Sequence, residues 1–140
     1  MRLYILLLFC AALVFGCKNE NASSEAPAMT GDKDFDTFYM RFHRDTAYQM
    51  AHITFPLEGL PPDAANATES LENYRWQRAD WQPHQLFNDP DYARTFRNKG
   101  DLMIEETLRH KSGEFGMLRR FAKMGDDWFL IYYAAPNRLK

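Results

Sequence analysis

Two kinds of chemistry are open to the side chains of this sequence, and the first belongs to Cys17. It closes the run Leu13-Val14-Phe15-Gly16-Cys17, where a small residue stands directly before a thiol at the end of an apolar stretch. That pattern suits transfer of a diacylglycerol to the thiol and cleavage after Gly16. Acylation of the freed amine, commonly with palmitate, would follow. Val14 is acceptable three residues before the cysteine, while Phe15 is bulkier than usual. Cys10 is a poor rival because the large Phe9 precedes it. The chain has 2 cysteines, one lost with the leader and one lipidated. The processed domain is therefore expected to lack disulfides, thiol catalysis and cysteine-bound metals.

The second kind is proton transfer. The 4 histidines are His43, His52, His84 and His110, and none falls in an HxH or HExxH spacing. No metal and no cofactor is expected from such scattered positions. Asp80 lies between Trp76 and Trp81, and His52 opens the stretch His52-Ile53-Thr54-Phe55. A His52–Asp80 pair in an aromatic pocket, with Tyr48 and Trp76 as walls, would make an acid/base site, since burial raises a carboxylate's pKa. The plainer reading pairs Asp80 with Arg75 or Arg78 at the surface and uses Trp76 and Trp81 as core. It is preferred, because nothing in the sequence makes these groups converge. Asp45 is read as a cap for the turn to Gln49. Arg109-His110-Lys111 and Arg119-Arg120 fall near one hairpin, either as a small basic patch or as a solvated face balanced by Glu105, Glu106 and Glu114.

These residues need elements to hold them. Met1-Arg2 and the apolar run from Leu3 to Phe15 read as an export signal, too short to span a ~30 Å hydrocarbon core. Lys18 to Lys33 has no apolar period and reads as a disordered tether. Phe35, Phe38, Tyr39 and Phe42 then recur at helical spacing, with Asp36, Thr37 and Arg41 pointing elsewhere and Thr30 or Asp32 as cap. A short helical turn is expected over 45–49. His52–Phe55 reads as a short strand stopped by Pro56, and Leu71–Trp81 as another. Asp89-Pro90 could start a short helix carrying Tyr92 and Phe96. Leu102–Arg109, Glu114–Lys123 and Trp128–Ala135 are three extended runs separated by Gly-containing turns, an antiparallel meander. In the last run Trp128, Leu130 and Tyr132 would face one way and Phe129, Ile131 and Tyr133 the other, so both faces need cover.

The expected organisation is a lipoprotein signal peptide over 1–16, a lipidated cysteine and tether over 17–33, and one α+β domain over 34–140. Of the 140 residues, 17 are basic and 19 acidic. With Arg2 removed, 16 basic residues face 19 acidic ones, a balance of −3 that argues against nucleic acid as a partner. Aromatic residues make up 15% of the chain, enough bulk for a core.

An amphipathic helix followed by Phe42-His43-Arg44-Asp45, Tyr48-Gln49 and Ile53-Thr54-Phe55-Pro56-Leu57 opens the domain. A Trp-containing segment and a closing Asp127-Trp128-Phe129-Leu130 complete the order. Taken together, over roughly residues 34–135, this resembles a Bacteroidetes-type lipoprotein family classed as domain of unknown function 4348. The resemblance implies a nuclear transport factor 2-like fold: an N-terminal amphipathic helix packed on a curved antiparallel sheet, cone-like and cystatin-like in its α+β layering. It carries no catalytic residues. The function expected is that of a lipid-anchored cell-envelope protein, reached through the periplasm and held at the outer membrane rather than the inner one because Lys18 follows the cysteine. It would bind a protein partner or small ligand and could pair with a second copy through the sheet. The alternative is a small enzyme using an acid/base pair in the cone, and the non-enzymatic reading is preferred.

Overall fold

The computed structural model describes residues 29–68 and 70–135; Cys17, the leader and most of the tether lie outside the described residues. Helix α1 spans Lys33–Arg44 and α2 Thr46–Ala51, followed by strands β1 (Ile53–Leu60), β2 (Arg75–Trp76), β3 (Tyr92–Asn98), β4 (Met103–His110), β5 (Gly116–Met124) and β6 (Asp127–Ala134).

The carboxylate of Asp32 starts α1 by accepting from the Phe35 amide at 3.0 Å. Phe35, Phe38, Tyr39 and Phe42 form the expected stripe and are almost fully buried. They pack on Ile104, Phe121, Trp128 and Leu130 of the sheet, with Phe35 edge-on to Trp128 at 5.0 Å between ring centres. Burying each such side chain contributes about 1.5–3 kcal/mol. Asp36 does not point to solvent as its place beside the stripe implied. It is buried, and folds back to accept from the Met29 amide (2.8 Å) and the Thr30 hydroxyl (2.9 Å). Asp45 caps α2 as expected, accepting from the Tyr48 amide at 2.9 Å.

All six strands join one curved sheet in the order β2-β1-β6-β5-β4-β3. It is mixed rather than antiparallel: the β3-to-β6 meander alternates direction, but β1 runs parallel to β6. The physical reason is where α2 ends. The His52 carbonyl accepts from the Leu130 amide at 2.8 Å, which sets the start of β1 beside the middle of β6, and from there the two strands run in the same direction.

Three segments differ from the sequence expectation. Pro56 does not stop β1, which runs on to Leu60; the ladder to β6 is irregular between Ile53 and Glu58, so the missing proline N–H falls where no regular pairing is lost. Leu71–Trp81 is a strand only at β2, after which Arg78–Asp80 turn through a 3-10 helix. The segment after Asp89-Pro90 is β3, not a helix. Tyr92 and Phe96 are four residues apart, a spacing that puts two side chains on one face of a helix or of a strand alike. Local bonds decide for the turn: the Asp89 carboxylate accepts from the Asp91 amide at 2.8 Å.

The last strand also breaks its simple alternation. Phe121 pairs with Leu130 but Arg120 pairs with Tyr132, leaving Ile131 as the extra residue of a bulge. Beyond it the faces exchange. Tyr133, opposite Arg119, turns to the inner side with Trp128 and Leu130, while Tyr132 joins Phe129 and Ile131 outside. On that outer face the Arg120 guanidinium lies 4.8 Å above the Tyr132 ring and binds Glu105 at 3.0 Å. Long charged side chains thus screen part of the apolar surface. The expected basic patch is divided accordingly, because Arg119 is buried inside and Arg120 stands outside.

Candidate functional site

Helix α1 covers the half of the inner face around Phe121, Trp128 and Leu130. Among the described residues the other half, around Leu108, Met117 and Tyr133, is crossed by the irregular segment 82–91. Between them lies a cavity of about 690 Å³ lined by His84, Leu86 and Phe87 from that segment, Tyr92, Leu108, Phe115, Met117, Arg119 and Tyr133. Its volume falls within the ~300–1,000 Å³ usual for small-molecule sites.

One side chain anchors the crossing segment. Gln49 of α2 is 1% exposed. Its Nε2 donates to the carbonyls of Phe42 and His84, each at 2.7 Å, and its Oε1 accepts from the His84 amide at 2.7 Å. The indole N–H of Trp81 reaches the same oxygen at 3.4 Å. A segment without its own ladder of hydrogen bonds is thereby tied to the helix layer.

The inner wall of the cavity is electrostatic. Glu106 and Arg119, opposite each other on β4 and β5, are both buried, with Arg119 Nε 3.1 Å from Glu106 Oε2 in an ion pair off the line of a hydrogen bond. Glu106 Oε1 accepts from the Tyr39 hydroxyl (2.7 Å) and from Arg94 Nε (3.0 Å). Arg94 also donates to the Phe87 carbonyl. A buried carboxylate so surrounded is compensated by charge-assisted bonds. His43 completes the cluster: its Nδ1 donates to the Tyr39 carbonyl at 2.8 Å, so its Nε2 is free to accept from Arg119 Nη1 at 2.7 Å. Only a neutral imidazole can do both. Burial and then the Arg119 charge push His43 down to about 3. His84 is pushed to about 3 by burial, then by Arg119 and His43, and among the described residues its buried Nδ1 has no hydrogen-bond partner. Burial raises Tyr39 and Tyr133 as well.

The residues singled out from sequence lie elsewhere. His52, at the α2–β1 junction, bonds the Tyr48 carbonyl through Nδ1 at 2.8 Å. Its ring is stacked between Tyr48 (3.8 Å) and Phe129 (5.2 Å). Arg41 caps that ladder 3.9 Å above the Tyr48 ring. Asp80 is exposed on its 3-10 turn. Neither Arg75 nor Arg78 takes it as partner, since Arg75 faces Glu58 at 3.8 Å and Arg78 bonds the Met50 carbonyl. Among the described residues no hydrogen bond or ion pair joins His52 to Asp80, and the two are held apart by separate jobs, ring stacking and solvation. Trp76 is structural, donating to the Tyr133 carbonyl at 3.1 Å and packing beside Trp81. None of Tyr48, His52, Trp76 and Asp80 lines the cavity.

Glu106 and Arg119 were missed as a pair, yet a signal existed. Glu106 alternates with Ile104 and Leu108, and Arg119 with Met117 and Phe121, so each charge sits on the apolar face of its strand. Opposite charges on the apolar faces of adjacent strands point to a buried ion pair. No comparable signal marks His84, which lies in an irregular segment.

Among the described residues no group of three or more His, Cys, Asp or Glu could hold a metal, and no helix is long and apolar enough to cross a membrane. No family model and no curated protein matches the chain. A solved nuclear transport factor 2-like protein from Bacteroides fragilis is similar in structure, with a TM-score of 0.54 and 16% sequence identity. The match covers 73% of this chain but 46% of that one, so the chain spans less than half of its neighbour's length. The sheet, the two helices and this likeness together give the chain a nuclear transport factor 2-like fold.

Proposed function

We propose that this protein is a binding domain for a small molecule held in the cavity between segment 82–91 and the sheet. The observation that carries the reading is the cavity itself, about 690 Å³ with a buried, hydrogen-bonded charge cluster at its wall and aromatic and aliphatic side chains around it. A few fixed polar groups in an otherwise apolar hollow are what ligand sites share. Acid/base catalysis is the weaker reading. The cavity's histidine, His84, stays neutral down to about 3, far below what a base at neutral pH needs.

The domain belongs, in this proposal, to the lipoproteins of the domain of unknown function 4348 type, anchored at the cell envelope through lipid on Cys17. The outer membrane is the favoured site, and the outer sheet face is available to an envelope protein or a second copy. Labelled palmitate should enter the wild-type chain and not the Cys17→Ala variant. For the cavity, the test is small molecules retained by the chain purified from envelopes, set against Met117→Trp, whose indole would fill the space. A compound enriched with the wild type and lost from the variant supports the reading. Equal extracts from two folded proteins refute it.

A further inference from the structure

The charges and the surface around the cavity define the class of ligand. The inner cluster holds two guanidiniums, Arg94 and Arg119, and one carboxylate, Glu106, and His43 is neutral by its bonding. The cluster therefore carries one uncompensated positive charge. Arg119 is the guanidinium that lines the cavity, and it is 2% exposed. Its Nη1 is committed to His43 and its Nε faces Glu106. Among the described residues His43 is the hydrogen-bond acceptor of this guanidinium and its Nε is buried without one, so donor capacity is left over. A buried cation with a free donor is costly unless an anion completes it.

An independent observation concerns the rim. Leu86 (41%), Phe87 (39%) and Phe115 (44%) are large apolar side chains left substantially exposed, and all three line this cavity. Apolar surface gathered at the mouth of one hollow marks contact with an apolar body rather than with water.

We propose that the cavity binds an amphipathic carboxylate, its acid group against Arg119 and its apolar body against Leu108, Met117, Phe87 and Phe115. The proposal rests on the reading of the cavity as a ligand site. A carboxylate accepting from a guanidinium makes a charge-assisted bond, roughly twice as strong as that of a neutral acceptor. An alcohol of the same skeleton keeps the apolar contact and loses the charge; an amine reverses it.

The test titrates the full chain in phosphatidylcholine nanodiscs with 4-phenylbutyrate, 4-phenylbutan-1-ol and 4-phenylbutylamine by calorimetry, with empty nanodiscs as blank. The acid should bind at least tenfold more tightly than the alcohol, and the amine more weakly than either. Met117→Trp should weaken the acid tenfold or more. Arg119→Gln should remove the preference for acid over alcohol, and because its loss could unfold the cluster, the comparison of ligands on the wild type stands without it. If acid and alcohol bind equally and Met117→Trp weakens both, the carboxylate is refuted while the cavity remains a ligand site. Binding of the acid unaffected by Met117→Trp overturns the location. No heat from any of the three overturns this proposal and the cavity reading together.

Discussion

Replacing Gln49 with Ala removes a side chain that ties the cavity's outer wall to the helices. Three backbone groups lose their partner: the Phe42 carbonyl, the His84 carbonyl and the His84 amide, all bonded at 2.7 Å. Each net bond is worth about 0.5–1.5 kcal/mol, and each buried group left bare costs about 1–3 kcal/mol. Water can reach the partly exposed His84 peptide but not the Phe42 carbonyl beneath it, so a loss of ~3–4 kcal/mol is expected. That is a large share of a domain stability of about 5–15 kcal/mol. Gln49→Glu is the sharper variant. A carboxylate keeps its acceptor for the His84 amide but turns two donor contacts into oxygen facing oxygen. It should be at least as destabilised as Gln49→Ala at pH 7, and should recover relative to wild type as acid protonates it. Urea unfolding across pH 4–7, followed by tryptophan fluorescence, measures both. A Gln49→Ala cost below ~1 kcal/mol, or a Gln49→Glu variant as stable as wild type at pH 7, would refute the clasp.

Acid should destabilise the fold through His43 and His84. Both titrate near 3 when folded against an ordinary value of 6.5. Between those values the unfolded chain takes up protons that the folded chain refuses, so their stabilisation is full above pH ~6.5 and declines as pH falls towards 3. The slope is on the order of 1 kcal/mol per pH unit for each histidine. A urea midpoint unchanged from pH 7 to pH 5 contradicts this, and His84→Asn should flatten the decline. Tyr39→Phe removes the 2.7 Å bond to the Glu106 carboxylate and should cost about 1.5–3 kcal/mol in the same unfolding assay. Gly59→Ala should be severe, above ~3 kcal/mol, because its new Cβ runs into the backbone carbonyl of Tyr133, the group that also accepts from Trp76. Normal expression and melting of Gly59→Ala would show that β1 and β6 lie farther apart than described.

What the sequence reveals tracks what is local. The Phe35–Phe42 stripe is one helix turn repeated, and Asp45 caps the residues next to it, so both are readable. The meander is readable because its turns carry Gly113 and Gly125, both at positive φ. The bulge at Ile131 is not readable, since one extra residue leaves composition and hydropathy unchanged while exchanging Tyr132 and Tyr133 between faces. Gln49 reads as a polar residue in a short helix, and its partner lies thirty-five positions on. His52 and Asp80 attract attention by residue type, but type does not fix direction. One is turned into a ring stack and the other into solvent.

The position of β6 has a consequence for how the chain is made. The last of the described strands in chain order, β6, is an interior one, with β1 on one side and β5 on the other. Until residues 127–134 emerge, the β1–β2 pair and the β3–β5 meander share no ladder, and each offers a bare edge. The nascent chain therefore cannot set its sheet stepwise from the beginning. It is left with two open edges, in need of shielding by a chaperone or by delay, until β6 enters between them.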